Sequence, residues 1–296
     1  MTALATEAPI RSTKPLPAIT HFGPGGKCPQ ELRDQLASSA GGAVAGANIV
    51  MQLADIGVGH GVAESRVESG ALYEHPVKRA RTTFSYVAIA LFGTDEEREA
   101  LGKAVTDVHR HVRNLPGEEV RYTALDPKLQ LWVAACIYKG LEDANALING
   151  EPTTEFIETV YPHAARLATT LQVPAEMWPP DREAFEDYWN EAVKGIRMDD
   201  VTRAYLQDFA GLGFLWWPLP HLFGGFHRIL TVGSLSEEFR EELGLPWSRR
   251  AELVYEANAK VLRVVDKVTP NRILTLAMDL YLWDMRRRIR NHRKLV

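Results

Sequence analysis

Apolar positions along this chain recur every three to four residues almost throughout, the period of helices that each bury one face. Residues 30–53, QELRDQLASSAGGAVAGANIVMQL, predict one helix behind Pro29, with acidic residues in its first turns. Gly42 and Gly46 in its middle leave room for another helix to come close. DIGVGHGVAES (55–65) predicts a loop. Residues 77–92, VKRARTTFSYVAIALF, predict a helix that ends at Gly93. Thr94, with Asp95, Glu96 and Glu97 behind it, then opens a second helix running to about Arg113. Further helices are expected at 127–147, 153–171, 181–195, 199–212, 236–243, 248–264 and 271–290, with prolines at 127, 174, 179, 180, 246 and 270 between or at their ends. A short ribbon around EEVRYTAL (118–125) is the only candidate for strand pairing. The expectation is therefore an all-α fold of about ten helices. It forms a single domain over 29–296, preceded by a flexible arm over 1–28 rich in Pro, Thr and Ala.

Composition narrows the function classes. The chain has 296 residues, 46% hydrophobic and 24% charged, with a net charge of -4. That suits a globular protein able to enclose a ligand. The lack of a basic excess argues against nucleic acid as a partner. The basic run MRRRIRNHRKLV reads as a helix end whose cations meet the negative pole of the helix dipole. Cys28 and Cys136 stand far apart with no CxxC pair, which argues against a structural zinc or a disulfide framework and fits a reducing cytoplasm. The N-terminal residues lack the apolar core of a secretory signal. No uncharged apolar run of membrane-spanning length exists, since GFLWWPLPHLFGGFHRILTVGSL is broken by Pro218, Pro220, Gly224 and Gly225 and carries Arg228. HExxH, GxSxG and GxGxxG are absent, and GPGGKC lacks the spacing of a phosphate loop.

Two consecutive helices hold the candidate chemistry. On the second, Leu101, Ala104, Val105, Val108 and Val112 share one face, and His109 and His111 in VTDVHRHVRN flank it, roughly 70–80° to either side. Periodicity does not separate the two histidines. For either one the bland reading is a half-buried ring with its nitrogens hydrogen-bonded. On the first helix, Arg79, Thr83, Tyr86 and Ala90 share a face with Thr82 beside them, while Phe84, Val87 and Leu91 form a separate apolar side. Burying that polar set without partners costs several kcal/mol. The pairing group is either a carboxylate (Glu64, Glu68 or Glu74) or an anionic or oxygen-bearing ligand held between the two helices.

GGAVAGANIVMQLADIGVGHGVAES, RARTTFSYVAIALFG, VHRHVRN, YTALDPKLQLWV and WWPLPHLFGGFHRILTVGSLSEEFREELGLPW follow one another in an order and spacing that resemble the MpaB-like and latex-clearing (rubber oxygenase) family, over about residues 35–290. The resemblance implies an all-helical protein with a globin-like core around one b-type haem. The family's H-x-x-V-x-G motif reads HRHVRN here. That implies His109 as the proximal iron ligand, with Val112 at the expected spacing, Asn114 where glycine is usual, and His111 as the competing choice. The family's R-x-x-x-T-x-x-Y pattern falls on Arg79, Thr83 and Tyr86, which implies a place beside the haem where oxygen or substrate binds. Thr82 stands where rubber oxygenases often carry lysine. Asp55 stands where the family's AHP has histidine.

The implied activity is haem b-dependent oxidation of a hydrophobic small molecule by dioxygen or peroxide, with cleavage, hydroxylation and desaturation all open. A neutral imidazole suits iron, and a guanidinium suits either a propionate or a bound oxygen. Phe214 to Val232 would wall an apolar pocket or its mouth, or simply pack a helix corner. Two alternatives stand beside the enzyme. One is a haem-binding or sensor protein with a second strong ligand such as His60 or His111. The other is a haem-free lipid-binding helical protein anchored through 210–235. The missing secretion signal points away from an extracellular polymer and toward a cytoplasmic metabolite. A homodimer is left open.

Overall fold

The computed structural model describes residues 20–22, 28–67 and 71–296. The helices are α1 Gln30–Gln35, α2 Gly41–Leu53, α3 Ile56–Ala63, α4 Pro76–Phe92, α5 Asp95–His109, α6 Pro127–Asn149, α7 Thr154–Thr169, α8 Arg182–Lys194, α9 Asp200–Ala210, α10 Leu219–Gly233, α11 Glu237–Leu243, α12 Arg249–Val268, α13 Asn271–Leu274 and α14 Leu276–Arg290. Among the described residues, β pairing is limited to one antiparallel bridge between Arg113 and Thr123, so the fold is all-α as expected.

Local chemistry sets the boundaries. Thr94 and Glu97 form a reciprocal capping box at the start of α5, and Asp126, Thr153, Asp181, Asp199 and Ser248 each accept a backbone N–H at the start of their helix. Each such cap contributes about 1 kcal/mol. Four expectations need correction. The helix expected over 30–53 is broken at Leu36–Ala40, where the Ser39 N–H donates to Asp266 and its hydroxyl to the Leu262 carbonyl; those bonds replace helical ones. The loop expected over 55–65 is α3, because Asp55 accepts the N–H groups of Gly57 and Val58 and starts a helix despite the glycines. The helix expected to reach Arg113 stops at His109. There the chain turns and enters a ribbon held by Ala124 N–H to Val112 O (2.9 Å) and Asn114 N–H to Tyr122 O (3.1 Å). The Pro- and Gly-broken stretch before residue 235 contains α10, whose Pro220 sits in the first turn, where a missing N–H costs nothing.

The core is built around α6, which packs on α2, α7 and α12. Gly46 shows why α10 can lie so close to α2: a Cβ there would meet Thr231 Oγ1 at 2.3 Å. The same freedom at Gly42 has no neighbour to use it. Fully buried Arg166 ties the α4–α5 corner to α7. It donates to the carbonyls of Ala90 and Gly93 and lies over the Phe22 ring, 4.0 Å from its centroid. It also donates to the Thr20 carbonyl, so residues 20–22 of the expected arm are held against the body of the protein. Residues 1–19 and 23–27 of that arm lie outside the described residues.

Candidate functional site

The turn at Gly93–Thr94 sets α4 beside α5, and α3 and α6 complete a cavity of about 270 Å³ with mostly aliphatic walls. That lies near the lower end of the volumes at which proteins hold small ligands, ~300–1,000 Å³. From α4, Arg79, Thr82, Thr83 and Tyr86 line it. From α5 come Val105, Val108 and His109, and Val112 follows from the turn. Sequence reasoning placed Arg79, Thr83 and Tyr86 on one helical face, and the structure sets that face on the cavity. The apolar side it separated off is also observed: Phe84 stacks on Tyr281, and Val87 and Leu91 are buried.

His109 and His111 part at the helix end. His109, the last residue of α5, lines the cavity, and its Nδ1 is buried without a hydrogen-bond partner. Desolvation, reinforced by the positive charge of Arg79 and opposed by the Ala124 backbone, pushes its pKa down to about 4. It is therefore a neutral imidazole at physiological pH. His111 lies beyond the helix, exposed and outside the cavity wall.

Arg79 has no ion pair among the described residues. Among the described residues no carboxylate meets its guanidinium; Glu64 holds His60, and Glu68 lies outside the described residues. The side chain keeps accessible surface, yet protein surrounds it densely enough that desolvation lowers its pKa. Thr82 spends its hydroxyl on the Arg79 carbonyl, 3.0 Å away, and Tyr86 donates its own to the Leu167 carbonyl. Among the described residues the Thr83 hydroxyl has no hydrogen-bond partner. The Tyr86 oxygen can still accept, but its proton is committed to Leu167.

Several wall residues escaped the sequence reading. α3 contributes Gly57, Val58, Gly61 and Val62, hidden because the segment read as a loop. Asp55 before them is a standard cap residue and could have revealed the helix. Its carboxyl is buried, which raises its pKa against the pull of the two N–H groups it accepts. Gln130 lines the cavity and donates to the Ala124 carbonyl (2.7 Å), which fixes the backbone that meets His109. Asn114, in the place of the usual glycine, accepts the Tyr122 N–H (3.0 Å) and closes the ribbon whose Tyr122 and Ala124 form part of the wall. Lys78 lines the cavity one turn before Thr82.

Other expected contributors lie elsewhere. No residue from Phe214 to Val232 lines this cavity. His60 has both ring nitrogens engaged, Nδ1 2.8 Å from Glu64 and Nε2 2.5 Å from Asp199, so it offers no ligand atom. Both cysteines are free thiols, and among the described residues no group of three or more His, Cys, Asp or Glu side chains could hold a metal ion.

No solved structure matched this chain. The uncharacterized proteins Rv2237 of Mycobacterium tuberculosis and Mb2261 of Mycobacterium bovis are each 46% identical to it over 250 residues, covering 84% of this chain and 98% of theirs. Residues 33–264 match the family model described as the ER-bound oxygenase mpaB/B'/rubber oxygenase catalytic domain. With that match running from α1 into α12 and taking in Arg79, Thr83, Tyr86 and His109, the chain belongs to the mpaB/rubber oxygenase catalytic-domain family.

Proposed function

We propose that this chain is a haem b-dependent oxygenase acting on a hydrophobic small molecule, with His109 as the proximal iron ligand. The family supports oxygenase chemistry with a small-molecule substrate and oxygen. The observation that carries the haem reading is His109 itself, a neutral imidazole with a buried, unpartnered Nδ1 on the wall of an aliphatic cavity. A neutral imidazole is a good iron donor, and an orphaned buried nitrogen is costly unless a ligand meets it. Arg79 fits the same group, because an unpaired guanidinium beside the cavity suits a propionate or a bound oxygen. The residues present therefore fit a haem. We read residues 29–296 as one unit built around it.

When bound, the haem supplies the oxidising chemistry. The protein's own residues do the rest. The Ala124 backbone, fixed by Gln130, would hold the ring of His109 in one tautomer and orientation. The Thr83 hydroxyl can donate to an oxygen atom in the cavity, and the Tyr86 oxygen can accept from one while its own proton stays on Leu167. The aliphatic residues of α3, α5 and α6 exclude water and favour an apolar substrate.

A sensor with a second strong iron ligand has less support, since His60 is spent on carboxylates and His111 lies outside the cavity. The test is the absorption spectrum of purified protein, with and without dithionite and carbon monoxide. A Soret band that shifts with carbon monoxide supports the proposal. A colourless, stably folded protein that stays colourless after haem is added contradicts it.

A further inference from the structure

Trp216, Trp217, Leu222, Phe223 and Phe226 all stand exposed on the turn before α10 and on its first turns, with Trp217 at 76% and Leu222 at 67% of full accessibility. Single exposed hydrophobic side chains are ordinary, but a contiguous aromatic group is not. The segment is firmly seated. Gly224 lies against the Gly211 backbone, Thr231 and Val232 are buried, and α10 packs on α2 and α12. The apolar side chains are thus presented outward by a fixed helix.

The surroundings carry positive charge. Trp216 shares a surface depression with Val77, Lys78 and Arg81; Arg81 is paired with Asp284 (3.4 Å) and Glu74 is the one carboxylate of the wall, so Lys78 is the wall cation without an ion pair among the described residues. Lys294 stands close enough to Lys78 to repel it. Lys78 also lines the cavity, so the depression under Trp216 and the cavity meet at that side chain.

We propose that this face docks on an anionic lipid bilayer, with Trp216, Trp217, Leu222, Phe223 and Phe226 at the headgroup–acyl boundary and Lys78 and Lys294 against the phosphates. Tryptophan and other aromatic side chains favour that boundary, and each nearby cation adds attraction to an anionic surface. A second copy is the poorer occupant: a two-fold contact would bring together two faces that carry the same unpaired cations. Among the described residues no single helix is long and apolar enough to cross a membrane. Docking sets Lys78, and with it the cavity edge, at the lipid surface, where an apolar molecule is most concentrated. The docking stands whatever the cavity holds.

The test is flotation of the full chain with vesicles of phosphatidylcholine alone and of phosphatidylcholine with phosphatidylglycerol. Binding is expected to the mixed vesicles, at least about tenfold weaker to the neutral ones, and weaker in high salt. The double variant Trp217→Ser, Phe223→Ser should lose binding while its circular dichroism and Tm stay unchanged, because neither side chain is buried. Failure of the wild type to float with either vesicle overturns the proposal, as does a double variant that binds as well as wild type. A wild-type dimer that the double variant dissociates, without vesicle binding, assigns the face to self-association and overturns it too. None of these outcomes depends on haem content.

Discussion

Arg79 and His109 line one cavity, close enough that the guanidinium's charge adds to desolvation in keeping the imidazole uncharged. Neither side chain has its polar atoms fully met by the protein. The orphaned, buried nitrogen of His109 costs stability on its own, and active sites are where such costs are usually found.

Arg79 gives the first prediction. Arg79→Met keeps the aliphatic stem and removes the unpaired charge. Because Arg79 keeps much of its surface exposed, the urea midpoint should stay within about 0.5 kcal/mol of wild type while oxidation falls by about a hundredfold or more. A loss of about 3 kcal/mol or more in stability would instead mark Arg79 as a structural ion-pair residue.

Tyr86 and Thr83 should separate in the opposite way. Tyr86→Phe deletes the bond to Leu167 and should cost about 1 kcal/mol of stability. Thr83→Val deletes no bond among the described residues and should leave the urea midpoint nearly unchanged while lowering turnover. Equal stability losses in the two variants would contradict the separation.

His60 predicts a pH-dependent contribution. Burial alone would lower its pKa, but the hydrogen bonds and charges of Asp199 and Glu64 outweigh burial and raise it above 6.5. The folded state therefore binds a proton more tightly than the unfolded state. The stabilisation is fully present below the unfolded value and is lost as pH rises through the folded one. His60→Asn should lose about 2 kcal/mol at about pH 6 and less at about pH 9, measured by urea unfolding. A difference independent of pH would mean that the imidazole is neutral between its carboxylates.

The α2–α10 contact predicts a compensating pair. Gly46→Ala drives a methyl into Thr231 and should cost about 1–3 kcal/mol. Thr231→Ala removes a buried hydroxyl that has no partner, so alone it should cost little. The double variant should recover part of the loss, which a double-mutant cycle would show as a coupling of about 0.5 kcal/mol or more. Strict additivity would mean that the two helices separate rather than clash.

Much of this was legible in the sequence, for identifiable reasons. α4 and the start of α5 were readable because their signals are local: a 3.6-residue apolar period, a terminal Gly93 and a capping box at Thr94. The polar face of α4 followed from the same periodicity. α3 and α10 were missed because glycines and prolines are read as breakers, whereas Asp55 supplies a cap for one and Pro220 occupies a tolerated first-turn position in the other. His109 and His111 were indistinguishable by angle because the angle assumes a helix through both. The ribbon bonds of Val112 and Asn114, which are tertiary, end the helix between them. Gln130 was hidden because its role rests on folding back onto the Ala124 carbonyl just before its helix, which helical periodicity does not show.

The central claim, that His109 holds a haem in this cavity, is tested most directly by haem content per chain in three purified proteins. Wild type should carry close to one haem, His111→Ala close to one, and His109→Ala little or none while remaining helical by circular dichroism. A His109→Ala protein that keeps its haem while His111→Ala loses it would contradict the account, and so would a wild type that binds none.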